Sequence, residues 1–125
     1  MLITVSAPGT DPAVVTVSGQ LDLDTAPAFD TAFEEVGIAT AVRVVVDLGG
    51  LEFCDSMGLS AVVLAHRRCT AAGGWLRLAG PNPFLARLLA VVGVSDAVPV
   101  YRTVEGARCD DSGERIRPGG SRFAA

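Results

Sequence analysis

Apolar and polar positions change their period several times along the chain, and each change marks an element. Leu2–Ser6 ("LITVS") and Val14–Ser18 ("VVTVS") are β-branched and alternating, which predicts two short strands. The segment between them, Ala7–Ala13, carries two prolines and a glycine, and so short a connection favours an antiparallel hairpin. The period then lengthens. Phe29, Ala32, Phe33 and Val36 recur at i, i+3, i+4 and i+7, one face of a helix. Asp24 or Thr25 can cap it, Pro27 sits in the first turn where a missing N–H costs little, and Gly37 marks its end. Asp30, Glu34 and Glu35 fall on the outward side.

Val42–Leu48 ("VRVVVDL") is nearly continuous apolar, as in a central strand covered on both faces, and Gly49-Gly50 follow it. A second helix is expected from Ser56 to about Thr70, before Gly73-Gly74, with Leu59, Val62, Val63 and His66 on one stripe. Trp75–Ala79 reads as a strand. Asn82 followed by Pro83 is a cap with proline at the first helical position. Phe84, Leu85, Leu88, Leu89 and Val92 form the expected buried stripe of a third helix, stopped by Gly93, and Ala97–Tyr101 is a last short strand. The order β-β-α-β-α-β-α-β implies crossovers into a parallel sheet, made mixed by the opening hairpin. The expectation is a single α/β domain with about five strands flanked by three to four helices. After Thr103 the pattern decays. Residues 1–107 are read as the domain, and 108–125, polar and rich in glycine, as a disordered C-terminal tail.

Composition narrows the functional classes. All ten basic residues are arginine and the net charge is −4. Residues 108–125 hold four arginines against three acids, whereas the rest holds six against eleven, so the body is the acidic part. Such a surface suits a basic protein partner and is a poor match for nucleic acid, whose phosphates need concentrated positive charge. The longest apolar runs, Ala61–Ala65 and Leu88–Val92, are far too short to cross a bilayer, and no secretory leader is visible in "MLITVS", so a cytoplasmic protein without a membrane partner is expected. Cys54, Cys69 and Cys109 have no paired spacing of the kind that holds zinc, and their odd number suggests free thiols.

Candidate chemistry concentrates in Glu52–Leu59, "EFCDSMGL", between the central strand and the second helix. A nucleophile elbow needs glycine two residues either side of its serine; here Cys54 takes the first place and only Gly58 matches. The sole histidine, His66, lies ten residues beyond Ser56, about 15 Å along a helix, too far to serve as its base. A phosphate-binding loop of the GxxxxGK[ST] kind is excluded by the lack of lysine. On residue types alone, Asp55 and Ser56 are good helix caps and Gly58 permits close packing.

The order of elements, "GQLD" after the second strand and "VVVDLGGLEFCDSMGL" before the second helix, resembles the STAS-domain anti-sigma factor antagonists over about residues 1–107. Asp55, Ser56, Gly58 and Leu59 match that family's signature, Met57 replaces its second hydroxyl residue, and Gln20 stands where glutamate is usual. The resemblance implies that Ser56 is phosphorylated by a partner, an anti-sigma factor that is itself a serine kinase, and that a serine phosphatase reverses it. It also implies that Asp22 and Asp55 surround the phosphosite, with Met57 and Gly58 beside it, and that the chain binds no cofactor or metal and is not an enzyme. Two other readings stay open: a STAS module of a transporter or stress-signalling complex, and a small enzyme or nucleotide-binding protein using the same acidic pocket.

Overall fold

The computed structural model describes residues 2–5, 12–35 and 43–116. Five strands, β1 (Leu2–Val5), β2 (Ala13–Leu21), β3 (Arg43–Cys54), β4 (Trp75–Ala79) and β5 (Val100–Tyr101), lie side by side in sequence order. β1 runs antiparallel to β2, and every later pairing is parallel. This is the α/β domain with a mixed, mostly parallel sheet that the pattern of periods predicts. The helices are α1 (Ala26–Glu35), α2 (Ser56–Ala71), α3 (Pro83–Val91), α4 (Val94–Ala97) and α5 (Val104–Cys109).

Alternation along the strands separates two faces. Val15, Val17, Val44, Val46, Leu76, Leu78 and Val100 join the main core with Phe29 and Phe33 of α1, Val62 and Cys69 of α2, and Leu85 and Leu89 of α3. Successive parallel crossovers of one hand place these helices on the same side of the sheet. The opposite face carries a smaller cluster, Val45, Ala79 and Tyr101 under Ala107 of α5. There the Arg77 guanidinium lies 3.6 Å over the Trp75 ring and donates to the Ala107 carbonyl at 2.9 Å, fixing α5 to the sheet.

Several expected boundaries move, each for a physical reason. β3 does not stop at Gly49-Gly50 but runs on to Cys54. Gly50 lets β2 come close, since a Cβ there would sit 2.8 Å from the Ser18 Cβ. The α3 stripe is narrower than expected: Leu85 and Leu89 are buried, while Phe84 and Val92 face solvent. The last strand shrinks to Val100–Tyr101, because Gly93, at φ 86°, turns the chain into the extra short helix α4, which takes Ala97.

The first part of the expected disordered tail is in fact placed. Residues 108–109 finish α5, Asp110 closes it at φ 52°, and the chain returns along the open edge of β5. Arg102 N–H donates to Glu114 O at 2.8 Å, Ile116 N–H donates to Val100 O at 2.7 Å, and the Tyr101 hydroxyl bonds the Asp110 carboxylate. Backbone bonding to an unpaired strand edge supplies order that an apolar-residue count does not register. Residues 117–125, the hairpin segment 6–11 and the Gly37 helix stop lie outside the described residues.

Candidate functional site

The candidate site is assembled where β2 and β3 end. Their parallel register brings Leu21 beside Cys54, so the loops that follow both strands, Asp22–Thr25 and Asp55, emerge together at the carboxyl edge. In open α/β sheets this edge is where functional groups collect. Register shifts after Thr16 and Gly19, the latter at φ 90°, curve the end of β2 to meet β3.

Asp55 ties the two loops. Its N–H donates to the Leu21 carbonyl at 3.2 Å, its Oδ2 accepts from Leu23 N–H at 3.3 Å, and its Oδ1 accepts from Gly58 N–H at 2.9 Å as the N-cap of α2. One carboxylate therefore caps the helix and holds the neighbouring loop. Gly58 is required by packing. A Cβ there would lie 2.3 Å from the Leu21 carbonyl oxygen and 2.8 Å from Cys54 Sγ, so α2 can approach β2 this closely only without a side chain.

Ser56 is the first residue of α2 and is exposed. With Gly58 N–H engaged by Asp55, the hydroxyl stands at the positive end of a 16-residue helix. Leu23 (62% exposed), Phe53 (43%) and Met57 (47%) are exposed apolar residues on the segments that meet at Asp55. Met57 thus faces solvent beside the serine. Leu23, whose N–H bonds the Asp55 carboxylate, is a site neighbour that sequence reasoning missed; it lies in the loop after β2, far from Ser56 in sequence, and gave no periodic signal.

Asp22 sits in the adjoining loop, and its hydrogen bonds serve that loop. Its Oδ1 accepts from Asp24 N–H and Thr25 N–H, each at 3.1 Å, and its N–H donates to Thr25 Oγ1 at 2.8 Å. Asp22 with Thr25 builds the turn leading into α1. His66 lies half-buried along α2, well away from Ser56.

The thiols divide by environment. Burial, with the Asp55 carboxylate beside it, pushes Cys54 up to about 12, and burial pushes Cys69 up to about 11. Both are held as neutral thiols and act as small hydrophobes. Cys109 is exposed, and its hydrogen bond to Glu105 also raises it. Among the described residues no group of three or more His, Cys, Asp or Glu side chains is arranged to hold a metal ion. Nor is any described helix long and apolar enough to cross a membrane.

A sheet of this topology with an exposed serine capped into the helix after the central strand defines a STAS domain. A family model described as "Mlab, STAS domain" matches residues 4–101, and the chain belongs to that family. The anti-sigma-B factor antagonist of Listeria monocytogenes is 31% identical over 97 residues, 78% of this chain and 84% of that protein. The anti-sigma-F factor antagonist RsfA of Mycobacterium tuberculosis is 32% identical over 99 residues, 75% of each. A further M. tuberculosis relative matches over 71 residues, so that this chain spans only 48% of its length. Among solved structures, an anti-sigma factor antagonist from Mycobacterium paratuberculosis superimposes with a TM-score of 0.73 at 28% identity, over 87% of this chain and 93% of that one.

Proposed function

We propose that this chain is an anti-sigma factor antagonist whose unphosphorylated form binds an anti-sigma factor of the serine-kinase type and thereby frees a sigma factor. The partner transfers the γ-phosphoryl group of Mg²⁺-bound ATP to Ser56 Oγ. The new O–P bond forms as the bond to the ADP leaving group breaks, and the hydroxyl proton passes to a base on the kinase. A serine phosphatase restores the hydroxyl. The chain is then a substrate that works in the cytoplasm, on protein partners rather than on nucleic acid or membrane.

The observation that carries this reading is the exposure of Ser56 at the mouth of α2. Phosphate there lies at the positive end of the helix, so its own fold tolerates it; the dipole term alone favours it by about 1 kcal/mol. The partner meets something different. A charge of about −1.5 to −2 appears beside Asp55 and next to the exposed Met57. An apolar or acidic contact surface then suffers repulsion and desolvation, and each ~1.4 kcal/mol costs about tenfold in affinity. Release needs no refolding.

The test is incubation with the cognate anti-sigma factor and ATP, followed by phosphopeptide mapping and an affinity measurement on Ser56→Asp. Phosphate at Ser56 and loss of binding in the variant are expected. Phosphate elsewhere, or unchanged affinity, overturns the assignment. Capture of a transporter component in place of a kinase would favour a STAS module of another complex.

A further inference from the structure

We infer that residues 110–116 are a detachable guard on the β5 edge, and that their release lets two copies of this chain join their five-stranded sheets edge to edge through β5. Asp110, bonded to Tyr101 and set near Arg77, is the latch that holds the guard down.

An edge strand leaves backbone groups unpaired and ready to template another strand. At β5 the outward groups are Arg102 N–H and Val100 C=O. The returning chain takes both, at 2.8 Å to Glu114 O and 2.7 Å from Ile116 N–H, about an antiparallel bridge of Tyr101 with Arg115. Little apolar surface backs these two bonds. Positions 110–113 are exposed, and Ile116 is the one apolar side chain of the segment that packs against the core. Arg102 Nη1 adds an exposed bond to Gly113 O at 3.1 Å. The latch carries the rest. The Asp110 carboxylate accepts from the Tyr101 hydroxyl and lies 4.0 Å from Arg77 Nη2. Burial and the Asp110 bond raise Tyr101 above the ordinary tyrosine value, so its hydroxyl stays protonated and donates. To reach this place Asp110 adopts φ 52°, a conformation that favours glycine. A segment with so few buried contacts and a strained latch belongs to the part of a fold that opens first.

The uncovered edge is self-complementary, which selects its occupant. Turned about a two-fold axis through Tyr101, a second β5 presents its Val100 C=O to Arg102 N–H and its Arg102 N–H to Val100 C=O. These are the same two groups that the guard engages, in the same antiparallel pattern. A second copy therefore replaces both lost bonds without any new backbone geometry on β5. Pro99 has no N–H to lengthen the pairing, so the join is short and forms only with the guard out of the way. The join also leaves the candidate site apart. β5 lies two strands beyond β3, after which Ser56 begins α2.

The experiment uses the full chain, followed by analytical ultracentrifugation and amide hydrogen exchange. Asp110→Gly removes the latch carboxylate while accepting the positive φ, and Ile116→Pro deletes the donor to Val100 O; together they detach the guard. The wild-type chain is expected to sediment as a monomer. In dilute solution the double variant is expected to exchange its Arg102 amide about tenfold faster or more. As its concentration rises it is expected to dimerise, with that amide protected again. Adding Arg102→Pro removes the donor that the join requires, at an edge position where proline is tolerated, and returns monomers. A double variant that stays monomeric while its Arg102 amide exchanges freely overturns the inference. So does an Arg102 amide that exchanges at the wild-type rate, a wild-type chain that dimerises as strongly as the variant, or a dimer that survives Arg102→Pro. Should the double variant fail to fold, Asp110→Gly alone is expected to speed Arg102 exchange about threefold, and no change there overturns the latch.

Discussion

The beginnings of α2 and α5 are built alike and present different surfaces. In each, a polar cap accepts from the N–H of a glycine three residues on: Asp55 from Gly58 at 2.9 Å and Thr103 from Gly106 at 2.9 Å. In each, the glycine admits a neighbour at close range, the Leu21 backbone in one case and the Glu114 side chain in the other. Yet α2 offers an exposed serine with apolar residues around it, whereas α5 starts with the half-buried Val104 and packs into the small cluster on the sheet's other face. A cap followed by glycine is therefore a device for docking a helix. What turns one copy into a candidate site is the hydroxyl at its first position and its place where two parallel strands end.

That contrast is tested most severely at the two glycines. Gly58→Ala drives a Cβ against fixed backbone and is expected to cost about 2–3 kcal/mol in urea unfolding, despite the better helix propensity of alanine. Gly106→Ala meets the Glu114 Cβ at 2.6 Å, a less severe approach than the 2.3 Å at Gly58, and is expected to cost about 1–2 kcal/mol. Equal losses would show that the closer backbone contact at Gly58 carries no extra cost.

The caps give the next smaller effects. Asp55→Ala removes an N-cap and the acceptor for Leu23 N–H, so a loss of about 1–2 kcal/mol and a weaker partner interaction are expected; Thr103→Ala loses a cap alone, about 1 kcal/mol. An Asp55 variant no less stable than the Thr103 variant would show that its link between loops contributes nothing. Ser56→Asp should change stability by less than about 0.5 kcal/mol, since the helix end favours the charge that nearby Asp55 opposes. A large loss would mean that the serine is structural.

The thiols sharpen the same comparison without touching either cap. Cys109 on α5 should react with a thiol reagent in the native protein, whereas Cys54 and Cys69 should react only after unfolding. Their raised values also set a pH dependence. The stability they contribute is fully present below pH 9, where thiols of the unfolded chain stay protonated. It is lost as the pH rises through about 11 to 12, where the folded thiols at last ionise. Urea midpoints should therefore fall across that alkaline window, and less so in Cys54→Ala.

Much of the fold was legible because it rests on local periods. The apolar spacing of Phe29, Ala32 and Phe33, the run in β3, and the Asn82-Pro83 start of α3 each specify an element without knowledge of its neighbours. Misplaced boundaries share a cause. Gly49-Gly50 reads as a stop, yet it is where two strands crowd together; Val92 matches a helical stripe, yet it is half exposed. At the site, Asp55, Ser56 and Gly58 could be singled out because they are contiguous. Leu23 could not, because it reaches Asp55 only through the register of β2 on β3.

Sequence alone, then, determined the class of the domain and singled out the segment proposed to bear its chemistry, since hydrophobic period and a capping residue act over a few neighbouring positions. Tertiary structure decided which side of that segment faces outward, that Asp22 spends its Oδ1 on its own turn, and that residues 108–116 seal the edge of β5. Those outcomes depend on backbone groups brought together across the chain, where a hydrogen bond or a 2.3 Å clash is set by packing distance and not by residue type.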